Sequence, residues 1–117
     1  MVVITIWHNP RCSKSRQTLA LIEASGAKVS IRRYLENPPS LAELETARAA
    51  LGLRPIQMMR SGEARFKELG LSKDSDDVAL MQAMAENPIL IERPIVFKGS
   101  NAIIGRPPET VNTLLAG

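Results

Sequence analysis

The sequence predicts an α/β domain in which a small mixed β-sheet carries helices on both faces. Three observations support this prediction. The chain begins with an apolar, β-branched run at 2–7, a strand–helix–strand order continues to Leu35, and a hairpin signal near residue 100 precedes a last helix. The 117 residues are enough for one hydrophobic core, so we expect a single domain over residues 1–117.

The N-terminal third is predicted to form a βαβ unit. Residues 2–7 are long enough for a buried strand. After the polar turn 8–12, a helix is expected over 13–25, and Gly26 is a suitable residue to end it. Residues 29–35 alternate between two sets of side chains, which predicts a second strand. This order of elements is that of a βαβ unit.

The middle of the chain, about residues 40–87, is predicted to be a helical insertion. Ser40 and Glu43 have the spacing of a capping box, which favours a helix start. Residues 54–69 predict short helical pieces, and the acidic residues 74–77 favour another start, where the helix dipole stabilises negative charge. The side chains predicted to face inward from this last helix are Val78, Met81, Met84 and Ala85.

The C-terminal part is predicted to hold a hairpin and a helix. Residues 95–98 and 102–104 are short strand candidates around a Gly-Ser-Asn turn. The Gly-Arg-Pro-Pro segment 105–108 then leads into a helix that ends at Leu115. The whole order, β-α-β, helices, β-β-α, fits a thioredoxin-like fold of four strands with the helical insertion between the second and third strands.

Composition excludes several classes of protein. The 44% of hydrophobic residues argues against a disordered chain, and no apolar run approaches the roughly 20 residues that span a bilayer. The first residues lack the basic region of a signal peptide. A single cysteine excludes an intrachain disulfide and a cysteine-based zinc cluster. The net charge of +3 is too small to argue for nucleic-acid binding. We expect a reduced, cytoplasmic monomer without metal, nucleic-acid or membrane partners.

Cys12 is the strong nucleophile candidate. It follows a strand and lies at a predicted helix start, where unpaired N–H groups and the helix dipole favour a thiolate. Three cations lie within four positions of it, namely Arg11, Lys14 and Arg16. These features predict a lowered thiol pKa, and the same donors suit a tetrahedral oxyanion. The alternative is a buried, inert cysteine.

The neighbours of Cys12 restrict its chemistry. Asn9 and Ser15 stand where a Cys-x-x-Cys pair would need a second cysteine. A phosphatase-type cradle needs arginine at the sixth position after the cysteine, where this chain has Thr18. His8 is the single histidine, and as an imidazolium it could approach the sulfur across the loop and stabilise the thiolate. Ser15 could orient either group.

Four segments of the chain resemble the glutaredoxin-linked arsenate reductases and occur in the order found in that family. The segments are 8–16 (HNPRCSKSR), 34–39 (YLENPP), 87–96 (NPILIERPIV) and 105–107 (GRP). The similarity covers essentially the whole chain. The basic residues after the cysteine and the short C-terminal end resemble a shorter, arsenate-reductase-like subgroup of the family. The Arg93-Pro94 pair also resembles the cis-proline position of thioredoxin-like folds.

The resemblance implies an oxidoreductase of arsenic detoxification that reduces arsenate to arsenite. The family cysteine, matched by Cys12, forms a thiol–arsenate adduct; glutathione displaces it, arsenite leaves, and glutaredoxin reduces the mixed disulfide. His8 and Ser15 match the family histidine and its serine partner. The resemblance implies no tightly bound cofactor, with glutathione as a co-substrate. The family arginines that hold the oxyanion are matched by Arg60, Arg93 and Arg106.

Two other functions remain open from the sequence. The first is a general thiol oxidoreductase that acts on glutathione mixed disulfides. The second is a non-enzymatic regulator that binds RNA polymerase, although such regulators typically carry a Cys-x-x-Cys switch. Arsenate reduction with both thiol donors separates the first alternative from a reductase, and a pull-down against polymerase tests the second. With one cysteine, any two-electron reduction requires an external thiol.

Overall fold

The structure, a computed structural model of the chain, describes residues 3–116. These residues divide into two compact units. The first unit comprises residues 3–37 and 93–116, and the second comprises Pro38–Glu92. Within residues 3–116, no helix is both long enough and apolar enough to cross a membrane.

A four-stranded mixed sheet forms the first unit. Its strands are β1 (Val3–Trp7), β2 (Lys28–Arg32), β3 (Ile95–Lys98) and β4 (Asn101–Ile104). In the strand order β2-β1-β3-β4, β1 pairs parallel with β2 and antiparallel with β3, and β3 pairs antiparallel with β4. The predicted thioredoxin-like fold class is confirmed. Residue 2 of the predicted first strand lies outside the described residues.

The connections of the first unit cover this sheet with helices. α1 (Ser13–Ala24) joins β1 to β2, and α5 (Val111–Ala116) follows β4 after a 3₁₀ turn. Gly26 has a φ of 80°, so the predicted glycine ends α1 in the left-handed region that favours this residue. The buried core joins strands and helices through Ile4, Ile6, Ile22, Val96, Val111 and Leu114.

The second strand is shorter than predicted. Strand structure was expected over 29–35, but β2 ends at Arg32. The Arg33 carbonyl accepts hydrogen bonds from the N–H groups of Glu36 (3.0 Å) and Asn37 (2.9 Å), so the backbone turns there. Tyr34, which the alternation placed in one set with Ser30 and Arg32, is buried within this turn, whereas Leu35, in phase with Val29 and Ile31, is exposed.

The second unit is helical, as the sequence predicts for this segment. Its helices are α2 (Leu41–Leu51), α3 (Ala64–Glu68) and α4 (Asp77–Glu86), with 3₁₀ turns at Pro55–Met58 and Pro88–Leu90. The predicted capping box of α2 is present. Ser40 Oγ accepts from the Glu43 N–H at 3.1 Å, and Glu43 Oε1 accepts from the Ser40 N–H at 2.9 Å.

The inward face of α4 agrees with the prediction at Met81 and Met84 but not at Val78 or at Ala85, which is only partly buried. Val78 was expected to be buried, but it is 69% exposed. At roughly 100° per residue, Val78 lies more than 100° around the helix from both Leu80 and Met84. The buried residues of α4 are Leu80, Met81, Ala83 and Met84.

Gly105 allows a close approach between the end of β4, α1 and the residue before β3. Its N–H donates to the Pro94 carbonyl at 2.9 Å. A Cβ at this position would lie 2.7 Å from Thr18 Oγ1 and 2.9 Å from Pro94 Cγ. Neither atom belongs to a long flexible side chain, so a larger residue requires the segments to separate. The peptide bonds Arg93-Pro94 and Arg106-Pro107 are both cis.

We predict that Gly105→Ala lowers the free energy of unfolding by about 1–3 kcal/mol, because the added methyl group overpacks a filled space. Urea denaturation measures the change. Gly62→Ala is the matched control, since a Cβ at Gly62 has no heavy atom within 4 Å and its φ is not positive. Equal stability losses in the two variants would contradict the packing argument.

Candidate active site around Cys12

The loop between β1 and α1 presents Cys12 at the start of the helix. The Cys12 N–H donates to the Asn9 carbonyl at 3.0 Å, and the Cys12 carbonyl accepts from the Arg16 N–H at 3.0 Å. Asn9 Oδ1 also accepts from the Arg11 N–H at 3.0 Å. Asn9 therefore shapes the turn, a role that the sequence prediction missed, although asparagine before proline is a common turn signal.

Cys12 is the N-cap residue of α1, with extended backbone angles (φ −94°, ψ 122°). Its side chain makes no capping hydrogen bond, and the residue is 9% exposed. The N–H groups of Lys14 and Ser15, at the second and third helical positions, are those that an N-cap side chain faces. The ionised sulfur is thus the form that this helix start favours.

The pKa of Cys12 lies below the ordinary value for cysteine. Burial of the thiol raises the pKa, but four interactions together outweigh it. In decreasing order, they are the Ser15 N–H, the positive charge of Arg93, the Lys14 N–H and a hydrogen bond from the Arg93 side chain. Each of them stabilises the thiolate over the thiol.

The cation that acts on Cys12 is not one of those predicted. Sequence proximity favoured Arg11, Lys14 and Arg16, but all three are exposed. Arg16 Nη1 donates to the Pro10 carbonyl at 2.9 Å, and Lys14 acts on the sulfur through its backbone N–H. Arg93, which is distant in sequence, supplies the charge. The lowered pKa was predicted correctly, but only the helix-start part of the reasoning is confirmed.

His8 and Ser15 form a buried pair behind the loop. His8 Nδ1 lies 2.7 Å from Ser15 Oγ, with the residues 5% and 0% exposed. Ser15 Oγ also accepts from the Asn9 N–H at 3.0 Å. The Ser15 side chain thus fixes His8 and the loop backbone, while its own N–H acts on Cys12.

The charge predicted for His8 is wrong. Burial lowers the pKa of the imidazole, the Arg33 and Arg16 charges lower it further, and Glu23 opposes them. His8 is therefore neutral near pH 7, because its pKa falls below its ordinary value of 6.5. An imidazolium does not stabilise the thiolate here.

The predicted arginines fall into two groups. Arg93 acts on Cys12, and Arg106 Nη1 donates to the Arg93 carbonyl at 3.2 Å. Arg93 precedes β3 and Arg106 follows β4, so the antiparallel hairpin brings the two residues together. Arg60 belongs to the second unit, where Arg60 Nη1 lies 2.5 Å from Glu63 Oε1 and both side chains are 24% exposed. The i,i+3 spacing of Arg60 and Glu63 is the signal of this ion pair in the sequence.

The geometry defines a class of chemistry. A thiolate at a helix start, with a guanidinium beside it, can attack an electrophilic centre and attract an anion. In the described part of the chain, no group of three or more His, Cys, Asp or Glu side chains could hold a metal ion. The class is a thioredoxin-like α/β protein with its single cysteine at the start of the first helix.

Comparisons with known proteins give the family. The model of the ArsC family matches residues 7–114. An arsenate reductase of Neisseria meningitidis serogroup A is 44% identical over 117 residues, covering 98% of this chain and 100% of that protein. An arsenate reductase of Haemophilus influenzae is 46% identical, covering 96% and 98%. The structure of an arsenate reductase from Vibrio cholerae superposes with a TM-score of 0.91 at 48% identity, covering 96% and 97%. The chain belongs to the ArsC family.

We predict that Arg93→Gln raises the pKa of Cys12, because the substitution removes a charge and a hydrogen bond that favour the thiolate. Thiolate absorbance titrated against pH measures the midpoint. Lys14→Gln and Arg11→Gln should leave the midpoint near that of the wild type, since the charge that lowers the pKa of Cys12 is that of Arg93. An equal rise in all three variants would restore the explanation based on sequence proximity.

The same shift links pH to stability. Because the pKa of Cys12 is lower in the folded protein than in the unfolded chain, ionisation stabilises the fold. This contribution is fully present above the unfolded pKa and is lost as the pH falls through the folded pKa. Arg93→Gln should bring the folded and unfolded pKa values of Cys12 closer together and so narrow the pH range over which stability changes. Chemical denaturation at several pH values measures this range.

Proposed function

We propose that this protein reduces arsenate to arsenite, with Cys12 as the nucleophile and glutathione and glutaredoxin as electron donors. The observation that carries the proposal is the Cys12 sulfur, which is favoured as a thiolate by the start of α1 and by Arg93. Membership of the ArsC family and the arsenate reductases among its relatives support the choice of substrate.

The first step is attack of the Cys12 thiolate on As(V). A sulfur–arsenic bond forms, one arsenic–oxygen bond breaks, and the oxygen leaves as water after taking up protons from solvent. The guanidinium groups of Arg93 and Arg106 offset the charge of the oxyanion with forked hydrogen-bond donors. The resemblance to the family adds Arg60 to this proposal as the third arginine.

The second step transfers two electrons to arsenic. A glutathione thiolate attacks the Cys12 sulfur, a disulfide bond forms, and the pair of electrons in the sulfur–arsenic bond stays on arsenic, which leaves as arsenite. A glutaredoxin thiolate then attacks the glutathione sulfur, and the Cys12 thiolate departs. The external thiols are required because the chain has a single cysteine.

Exposed cations beside Cys12 support an anionic thiol donor. Arg11, Lys14 and Arg16 are exposed, and within residues 3–116 none of them forms an ion pair. Since they do not set the pKa of the thiol, their charge is available to attract a ligand. Glutathione carries two carboxylates and fits this surface, and the attraction should weaken as salt increases.

The same cations favour a second candidate, a thiol oxidoreductase that acts on glutathione mixed disulfides. That reaction needs the thiolate and the cations of the loop, but it needs no oxyanion ligand from Arg106. Activity on a glutathione mixed disulfide that persists in Arg106→Ala, together with no reduction of arsenate by the wild type, identifies this second function.

We predict that Cys12→Ser abolishes arsenate reduction, because a hydroxyl group forms neither the arsenic adduct nor a mixed disulfide. The assay measures arsenite produced with glutathione and glutaredoxin. Mass spectrometry of the wild type after arsenate and glutathione should find the adduct or glutathione on Cys12. Serine is nearly isosteric with cysteine, so the variant should fold, with a midpoint of thermal unfolding near that of the wild type. Turnover near that of the wild type in Cys12→Ser would refute the mechanism.

We predict that Arg106→Ala weakens arsenate binding by about 1.5–3 kcal/mol, the range of a hydrogen bond to a charged group. Arg93→Ala should weaken it similarly and also raise the pKa of Cys12, so Arg106 gives the simpler measurement. Arg106→Lys should retain only part of the arsenate affinity that Arg106→Ala loses, because an ammonium group lacks the forked geometry of a guanidinium. Bound arsenate should slow the alkylation of Cys12, and the inhibition constant of arsenate in that reaction measures its binding.

Arg54→Ala is the control for the arginine series. Arg54 lies in the second unit and pairs with Asp77 at 3.4 Å, and both side chains are exposed. It lies outside the segments that resemble the reductases. A loss of arsenate affinity in Arg54→Ala as large as that in Arg106→Ala would show that the effect is a general loss of positive charge.

A further inference from the structure

Thr18 is a fully buried polar residue on α1 to which the chemistry above gives no role. Its exposed fraction is 0%. Thr18 Oγ1 donates to the Lys14 carbonyl at 2.8 Å, one turn earlier in the helix. The acceptor residue, Lys14, lies two positions after Cys12.

The Lys14 carbonyl and the Ser15 N–H belong to the same peptide group. The oxygen of that group accepts the Thr18 hydroxyl, and its N–H faces the N-cap residue Cys12 from the third helical position. A hydrogen bond to an amide oxygen polarises the amide and makes its N–H a stronger donor. Thr18 therefore acts on the Cys12 sulfur through one peptide group.

The same hydroxyl also contacts the segment that carries the arginines. Thr18 Oγ1 lies 3.4 Å from the Gly105 carbonyl, and the space between them admits no side chain at Gly105. The next residue, Arg106, donates to the carbonyl of Arg93. Thr18 thus lies where the cysteine helix meets the end of β4.

We propose that Thr18 is a positioning residue for Cys12: its hydroxyl group orients and polarises the peptide between Lys14 and Ser15, and it holds α1 against Gly105. The inference rests on the proposed role of Cys12 as the nucleophile. Thr18 itself carries no charge and touches no reacting atom. The charged group that acts on Cys12 from another element is Arg93, which the test leaves in place.

Thr46 provides a matched control within the same chain. Thr46 Oγ1 donates to the Ala42 carbonyl at 3.1 Å, which is the same bond over the same spacing, on an exposed face of α2. A general effect of losing a threonine bond within a helix should appear in both Thr18→Val and Thr46→Val. An effect on the cysteine should appear only in Thr18→Val.

The experiment titrates the Cys12 thiolate by its ultraviolet absorbance and measures its alkylation by iodoacetamide across pH. Thr18→Val should raise the titration midpoint by a few tenths of a pH unit, because polarisation strengthens such a bond by about 10–30%. Alkylation of this variant should be slower near neutral pH and equal to that of the wild type at alkaline pH. Thr18→Ser should restore the wild-type midpoint, and Thr46→Val should not change it.

The outcomes separate this inference from the proposed function. An unchanged midpoint in folded Thr18→Val, with a lowered midpoint in the wild type, overturns the role of Thr18 alone. A wild-type midpoint equal to that of a free cysteine overturns the proposed nucleophile as well. If Thr18→Val does not fold, Thr18→Ser and Thr18→Ala repeat the comparison, since they differ only in the hydroxyl group. Equal midpoints in that pair overturn the role of Thr18.

Discussion

The N–H groups in the first turn of a helix have no carbonyl partners within the helix, so they require an acceptor from outside it. In this chain the residue that faces them is Cys12, whose pKa is lowered in part by the N–H groups of Ser15 and Lys14. The surrounding structure keeps that residue at the N-cap. Asn9 closes the turn, and the buried contact between His8 and Ser15 fixes the loop behind it.

Much of the fold could be predicted because its elements carry local signals. The capping box at Ser40, the glycine at position 26 and the hairpin turn each depend on the conformations of neighbouring residues. The errors arose where periodicity was the sole guide. The alternating pattern of the second strand continued past Arg32 into a turn, and Val78 is apolar but lies on the exposed side of α4.

The features of the site also differ in whether the local sequence predicts them. The position of Cys12 and its lowered pKa follow from the local order of strand, loop and helix. The identity of the charged partner does not, because Arg93 reaches the sulfur only after β3 has paired with β1. The neutral state of His8 also depends on burial and on Arg33, neither of which the loop sequence reveals.

The β3–β4 hairpin has a consequence for handling the protein. Arg93 and Arg106 lie beyond one end of it, and the turn at Gly99 and Ser100 closes the other. Each strand has four residues, and a rise of about 3.3 Å per residue separates the two ends of the hairpin by about 13 Å. Ser100 is exposed, so a fluorophore or surface tether attached there, through a cysteine introduced in a Cys12→Ser background, would hold the molecule by the end of the hairpin opposite Arg93 and Arg106.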